Sequence, residues 1–419
     1  MLDLIELPIT YHPSPMSSAL SPDSWCFDLA WIPQNAYLVG GAVRDALLKR
    51  ESEYLDLDFV LLDAVKIARK MASHYKAGFV LLDRSRQIAR VVFKQATVDF
   101  AQQQGKTLEE DLYRRDFTVN AIAYNPYTQE IIDPLQGYKD LQNRVMRMVS
   151  KANLQDDPLR LLRAYRQAAQ LGFAIAPETR ATIRSLSPLL SNIAPERVRV
   201  ELNYLLNSPS GTPWLKSAWE DGLIDNWLSH TTQRSYETLA LIDSAALSFP
   251  QLLISQALSD TIKTTWLGIA KIACLVSNNP EIAEFELQQL TYSRAEIRAV
   301  TTALKLLPQL PAKADNLSLK EQYLLFRQAG LVFPVLAVLA VAKGMQKDTL
   351  APLINRYLTP NDPVAHLVLL VNGKDLMQAL QIAPSPIVGE LLNKIAIAQI
   401  EGKISTPAQA IELAATLLR

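Results

Sequence analysis

The sequence is short of the residues that build disulfide frameworks and zinc sites. Its 419 residues include two cysteines, Cys26 and Cys274. They stand far apart and make neither a metal-binding spacing nor a disulfide pattern. That fits a reducing cytosol, so a cytoplasmic location is expected. The four histidines are scattered, which argues against a His-based zinc site. An excess of charge of one sign is also missing: 42 Lys and Arg balance 42 Asp and Glu. A neutral chain has no bulk attraction for a polyanion, so any nucleic-acid binding must come from local basic patches. Long hydrophobic runs are absent too. The longest, Leu331–Ala342, is too short to span a bilayer and contains Pro334. The stretch Met1–Pro8 is short and acidic and does not read as a signal peptide. No membrane association is therefore expected.

What is present is a 49% hydrophobic fraction, enough for a sizeable core, on a chain long enough for two to four structural units. Residues 1–36, rich in Pro and Ser and carrying Trp25 and Trp31, read as a lead-in. From Tyr37 to about Met148, strand and helix signals mix. Tyr37–Val39, Leu55–Val60, Phe79–Leu82, Ile88–Phe93 and Thr97–Phe100 read as strands. Asp63–Tyr75 reads as an amphipathic helix, and Asn125–Thr128 as the turn joining Ala121–Tyr124 to Glu130–Ile132. Past Asn153 the strand signals stop. Leu159–Leu171 is helical with Gly172 as its stop, and Ser318–Glu321 has a capping-box form. Pro and Ser clusters at Ser208–Pro213, Pro308–Pro311 and Pro384–Pro386 punctuate the rest. The expected class is α+β: a mixed head over 37–150, then an all-α neck (151–207), body (208–310) and tail (311–419).

The most informative stretch is Tyr37–Val60, YLVGGAVRDALLKRESEYLDLDFV. Period-two alternation puts Asp56 and Asp58 on one face of a strand. Two carboxylates side by side repel unless a cation lies between them, and hard divalent cations such as Mg²⁺ take such oxygens and also bind phosphates. Upstream, Gly40–Gly41 opens a helix whose backbone N–H groups and positive end suit an anion, with Arg44 one turn further on. A lone glycine pair is usually a turn, and a lone D-x-D is often a solvated face. Together, one helix apart, they point to two-metal nucleotidyl transfer.

These motifs resemble those of the class II tRNA nucleotidyltransferases and bacterial poly(A) polymerases, members of the polymerase-β-like nucleotidyltransferase superfamily. GGAVRD and LDLDFV are similar to the family's opening motif, and the resemblance implies a two-Mg²⁺ site at Asp56 and Asp58. Asp99, on a neighbouring strand, takes the place of the family's third carboxylate; otherwise it is an ordinary edge-strand acid. RRDFTVNA (Arg114–Ala121) resembles RRDxTxNA. The likeness implies that Arg115 contacts the nucleotide and that Asp116 and Asn120 shape the sugar and triphosphate pocket. Alone, the paired arginines would be a surface ion-pair cluster. Asp133–Leu141 resembles DPxxGxxDL, a motif that couples head and neck, or reads simply as a turn and a helix start.

The stretch Asp156–Arg166, DDPLRLLRAYR, is similar to EDxxRxxR, with Asp156 where the family has Glu. Asp157 before Pro158 is by itself an ordinary N-cap and first-turn proline. Helical spacing sets Asp156, Arg160 and Arg163 on one face, with Leu161, Leu162 and Tyr165 toward a core. The resemblance implies that Asp157 and Arg160 pair with the base edge of the incoming nucleotide, in place of a template. A carboxylate accepts from the amino group of C or A, and a guanidinium donates to a ring nitrogen or carbonyl. Arg163 and Arg166 would hold the triphosphate or the RNA end, with Gly40, Gly41 and Arg44. Ala194–Leu202 resembles ERxxxEL and reads as a structural brace. Gly373–Met377 and Pro386–Gly402 match the family's tail more loosely.

Full CCA-adding members carry a long flexible segment before RRD. Here only Ala101–Lys106 fills that space. Within the family this implies a member that adds two C residues from CTP to the 3′ end of tRNA. The helical tail would clamp the acceptor and TΨC arms by shape and phosphate contacts. The alternatives are a full CCA-adding or A-adding enzyme also using ATP, a poly(A) polymerase, and a non-catalytic RNA-binding helical protein.

Overall fold

The computed structural model describes residues 9–11, 18–50, 52–252, 257–259, 262–310 and 317–418. Most of the expected lead-in before residue 18, the Met1–Pro8 stretch and Pro311 lie outside the described residues. The chain forms two compact units: one runs to Ile193 and includes Ser217–Leu223, and the other comprises Ala194–Lys216 and Ile224–Arg419. The break at Ile193 falls inside the segment expected to be the neck.

The first unit is built on an eight-stranded sheet. Its strands are β1 (Ile9–Tyr11), β2 (Tyr37–Val39), β3 (Leu55–Leu61), β4 (Gly78–Asp83), β5 (Ile88–Val92), β6 (Ala96–Gln102), β7 (Ala123–Asn125) and β8 (Glu130–Asp133), in the order β1-β8-β7-β2-β3-β6-β5-β4. Among the described strands of this sheet, only the β3–β6 pair is parallel. Helix α1 (Gly41–Leu47) follows β2, and α2 (Ala64–Tyr75) connects β3 to β4. The connection from β6 leads into the short α3 (Leu108–Leu112), and α4 (Gly137–Asn143) follows β8.

Alternation explains why the sheet has two different faces. Leu57, Phe59 and Leu61 of β3, Ala89 and Val91 of β5 and Val98 and Phe100 of β6 are fully buried on one side, with Ala68 and Met71 of α2. Asp56, Asp58, Thr97, Asp99 and Arg90 occupy the alternate positions. There Val39 and Val60 pack with Leu108 and Leu112 of α3 and with Ala121 and Ala123. The apolar side of α3 thus anchors to the polar face of the sheet and carries Asp111 and the residues after it toward the acids.

Helix α5 (Lys151–Asp156) and α6 (Leu159–Leu171) complete the part of this unit that matters for function. Gly172, with φ 72°, ends α6 at the expected place. Leu161, Leu162 and Tyr165 are fully buried, as helical spacing predicts. One expectation changes: Asp156 is not on the helix of Arg160 and Arg163. Asp157 is extended (φ −135°, ψ 90°) and separates the two helices. The following proline disfavours helical backbone at the residue before it. The N-cap position of α6 is Pro158, and Asp157 reaches past it to accept from the Leu159 amide at 3.3 Å.

The motif Asp133–Leu141 proves to be a brace. Asp133 accepts from the amides of Gly137 and Tyr138 at 2.7 and 2.9 Å, capping α4. A Cβ on Gly137 would sit 2.2 Å from the Thr118 carbonyl oxygen, so glycine is required there. Asp140 accepts from Thr118 Oγ1 at 2.7 Å and pairs with Arg147.

The second unit is mostly helical. Its Ser318 caps the helix Leu319–Ala329 with a full capping box to Glu321. By length and composition Leu319–Ala342 is apolar enough to cross a membrane. It is broken by a turn at Gly330–Val332, and nearly every residue of Phe333–Ala342 is buried in the unit's core. The expectation of no strands past Asn153 needs correction. Ala174–Ile175 pairs in parallel with Val145–Met146 in the first unit, and Ala257–Ser259 pairs with Ile262–Thr265 in the second. Segments of two to four residues are too short to show a period-two signal.

Candidate active site

The site grows from the β3–β6 register. Asp58 lies opposite Asp99 and Asp56 opposite Thr97, while on the other side of β6 Arg90 lies opposite Asp99. Asp58 is partly buried. Burial, then the neighbouring Asp99 and Asp56, push its carboxyl up to about 7, against the pull of Arg115 and Arg90. Asp56 accepts from Thr97 Oγ1 at 2.5 Å. Asp99 is spent differently: Arg90 Nε and Nη2 donate to its two oxygens at 2.7 and 2.8 Å.

These facts bear on a metal. Among the described residues no group of three or more His, Cys, Asp or Glu side chains converges as a ligand set. Asp56 and Asp58 do fit a divalent cation, since a positive charge would relieve a carboxyl that burial and two acids hold from ionising. Mg²⁺ commonly takes only one or two protein carboxylates and completes its shell with substrate phosphates and water.

Gly40 lies beside this pair. Its φ of 72° suits glycine, and a Cβ there would approach Asp58 Oδ2 at 3.4 Å and Arg115 Nη1 at 3.5 Å. Gly41 opens α1, but Arg44 does not point freely into the site. Its Nε and Nη2 hold Asp45 at 2.9 Å each, and its Nη1 donates to Asn120 Oδ1 at 2.8 Å. Asn120 in turn donates from Nδ2 to Asp116 Oδ1 and to Gln167 Oε1, at 2.9 and 2.8 Å. Asp116 Oδ2 pairs with Arg163 at 3.2 Å. Burial opposes the charge on Asp116, yet Arg163, Asn120 and Arg160 outweigh it and hold the carboxyl below its ordinary range. A polar chain therefore runs from α1 through Asn120 and Asp116 to α6.

Two cavities adjoin here. One, of about 590 Å³, is lined by Gly40, Gly41, Arg44, Asp56, Asp58 and Asn120, with Arg166 and Gln167 from α6. The other, of about 300 Å³, is lined by Asp156, Asp157 and Arg160 together with Arg86, Gln104 and Arg114. Arg115, Asp116 and Arg163 line both. Of the sequence-derived candidates, only Asp99 lines neither. Asp156 joins Arg160 and Arg163 after all, through the cavity rather than through a shared helix. Arg160 Nη1 donates to the carbonyls of Arg114 and Asn153 at 3.0 Å each, which fixes its plane. Burial pulls its guanidinium below the ordinary value, while Asp116 and Asp157 oppose that shift. Arg166 donates to Gln170 Oε1 at 3.0 Å.

Sequence reasoning missed Gln167, Arg90, Arg86 and Asp111. Gln167 lies four residues beyond Arg163 on one helix, a spacing that could have found it. Asp111 stands four residues before Arg115, again a local spacing, whereas Arg90 and Arg86 need strand register or chain folding that no local pattern carries.

Comparison with known proteins identifies the family. Residues 36–147 match the Poly A polymerase head domain, 172–234 a probable RNA and SrmB-binding site of polymerase A, and 261–415 a putative tRNA nucleotidyltransferase domain 2. The chain is 48% identical over 397 residues to a CC-adding tRNA nucleotidyltransferase of Synechocystis sp., covering 93% of this chain and 95% of that one. It is 32% identical to an A-adding tRNA nucleotidyltransferase of Deinococcus radiodurans, over 90% of this chain and 94% of that one. In three dimensions it resembles a CCA-adding enzyme solved with ATP, at a TM-score of 0.71 and 22% identity, covering 92% and 91% of the two chains.

Proposed function

The chain belongs to the tRNA nucleotidyltransferase and poly(A) polymerase family, and on that premise we propose that it adds CMP residues from CTP to the 3′ end of tRNA lacking its terminal CCA, stopping after CC. The observation that carries this reading is the junction of two cavities at Arg115, Asp116 and Arg163, one holding the carboxylate pair and the other Asp157 and Arg160. A nucleoside triphosphate has the same two parts. The choice of C rests on the 48% identical CC-adding relative, against 32% for the A-adding one. The short connection Ala101–Lys106 agrees with it.

In this reading the 3′-oxygen of the tRNA attacks the α-phosphorus of CTP in line. The new P–O bond forms as the bond to the β-phosphate oxygen breaks, pyrophosphate leaves, and the hydroxyl proton passes to solvent. Asp56 and Asp58 would hold Mg²⁺, which when bound neutralises phosphate charge and activates the hydroxyl. Arg115 and Arg163 supply permanent, bidentate cations for phosphate. Arg44 keeps Asn120 and Asp116 in place for the sugar. Asp157 accepts from the cytosine amino group, and Arg160, its plane set by two carbonyls, donates to the ring edge. The helical second unit holds the tRNA by shape and phosphate contacts. Both cysteines are free, which suits the cytoplasm. Incorporation of CMP into a tRNA transcript ending at the discriminator base tests the proposal, and no incorporation with any nucleotide would overturn it.

A further inference from the structure

The connection between β6 and α3 is short, and it is also tied down. The Gln103 amide donates to the Leu61 carbonyl at 3.0 Å, extending the sheet. Gln104 Nε2 donates to the Gln102 carbonyl at 3.0 Å. The Lys106 amide donates to Glu110 Oε2 at 2.6 Å, and Thr107 caps α3. Gly105 turns the chain at φ +91°, and a Cβ there would press on Glu110 Oε2 at 2.3 Å. At the centre is Asp111, only 7% exposed. Its Oδ1 accepts from the Gln104 amide at 2.9 Å, and its Oδ2 accepts from Arg115 Nη2 at 3.2 Å. The buried Nε of Arg115 finds no hydrogen-bond partner among the described residues, so the plane of the guanidinium depends on that carboxylate.

Gln104 lines the cavity of Asp157 and Arg160, while Arg115 lines both cavities and lies beside Gly40 and Asp58. We propose that Asp111 is a positioning residue: one buried carboxylate fixes both the wall of the base cavity and the arginine that receives the nucleotide. Asp111 itself lines only the smaller cavity and acts through Arg115 and Gln104. This deepens the proposed function and rests on its reading of Arg115 as a nucleotide ligand. Removing the charge leaves Arg115 free to turn away, which weakens ground-state and transition-state binding alike and so raises KM more than it lowers kcat.

The test is steady-state CMP addition to tRNA together with CTP binding measured by calorimetry, on the full chain. Asp111→Asn keeps an acceptor for Gln104 and loses the charge that holds Arg115. The KM and Kd for CTP are expected to rise about tenfold, the scale of one charge-assisted hydrogen bond, with kcat falling about threefold or less. In an Arg115→Ala background, Asp111→Asn should add less than about a twofold further rise in the Kd for CTP, because the group it acts through is gone. Should Asp111→Asn fail to fold, Asp111→Glu keeps the charge but displaces it by one methylene and carries the same expected rise. An unchanged KM in a folded variant, or a full further loss in the Arg115→Ala background, overturns the inference. Wild-type protein assayed in parallel separates the cases: if it adds no CMP, the function reading fails, and if it is active while the variant matches it, this inference alone fails.

Discussion

Asp58 and Asp99 face each other in register on parallel strands, yet only Asp99 has a guanidinium closed over both its oxygens. The two acids thereby have different surroundings. Arg90 neutralises Asp99 within the protein, and Asp58 is left pushed up to about 7 by burial and its acidic neighbours. The carboxyl without a guanidinium closed over it among the described residues is the one that lines the larger cavity.

Asp58→Ala should lower nucleotide transfer by about 10³-fold or more, since a metal-holding carboxylate contributes several kcal/mol to the transition state. The affinity for tRNA, measured by filter binding, should stay within about twofold, because the removed group does not hold RNA. A variant retaining wild-type transfer would remove Asp58 from the chemistry.

Asp99→Asn should behave differently. Transfer is expected to fall about tenfold or less, whereas stability should drop by about 1 kcal/mol, the scale of a half-exposed charged pair after solvent screening. Parallel single-turnover rates and denaturant midpoints separate the two effects. A loss of rate as large as that of Asp58→Ala would make Asp99 a metal ligand instead.

Base choice should follow Asp157 and Arg160. Replacing either by Ala should cost about 1–3 kcal/mol of discrimination between CTP and UTP, a loss of about 5- to 150-fold in the ratio of their kcat/KM values. An unaltered ratio would mean that the bases are told apart elsewhere.

Acid stability should report on the buried Asp221 in the same unit. Tyr165, Arg180 and Arg184 all donate to Asp221, with Arg180 Nε at 2.6 Å and Arg184 Nε at 2.5 Å. Burial opposes the charge of Asp221, but these donors outweigh it and hold the carboxyl below its ordinary value. A depressed folded-state pKa gives stability that is complete above the unfolded value near 4 and is lost as pH falls through the folded value. Asp221→Asn should cost about 3 kcal/mol at pH 7 and flatten the loss of stability below about pH 4, as followed by thermal unfolding against pH. An unchanged acid limb would show that other groups set it.

Much of this was legible in the chain. The alternation Leu55–Asp56–Leu57–Asp58–Phe59 gives a strand with both acids on one face, and the helix at Leu159–Leu171 ends at Gly172 as its pattern requires. Local periodicity cannot carry what depends on register or on distant partners. Arg90 meets Asp99 because β5 returns antiparallel beside β6, and Arg44 meets Asn120 across 76 residues. Asp156 was displaced from its expected helix by a single extended residue before Pro158. The clamp at Asp111 combines both difficulties: its i,i+4 pairing with Arg115 is visible in the sequence, while its grip on Gln104 needs the fold.

Gel-resolved extension of tRNA transcripts ending at the discriminator base, at C and at CC, each with CTP, ATP or both, tests CC addition most directly. Two CMP additions to the first, one to the second and none to the third are expected, with no AMP added anywhere. Completion to CCA, or AMP added to the CC-ended transcript, would contradict it.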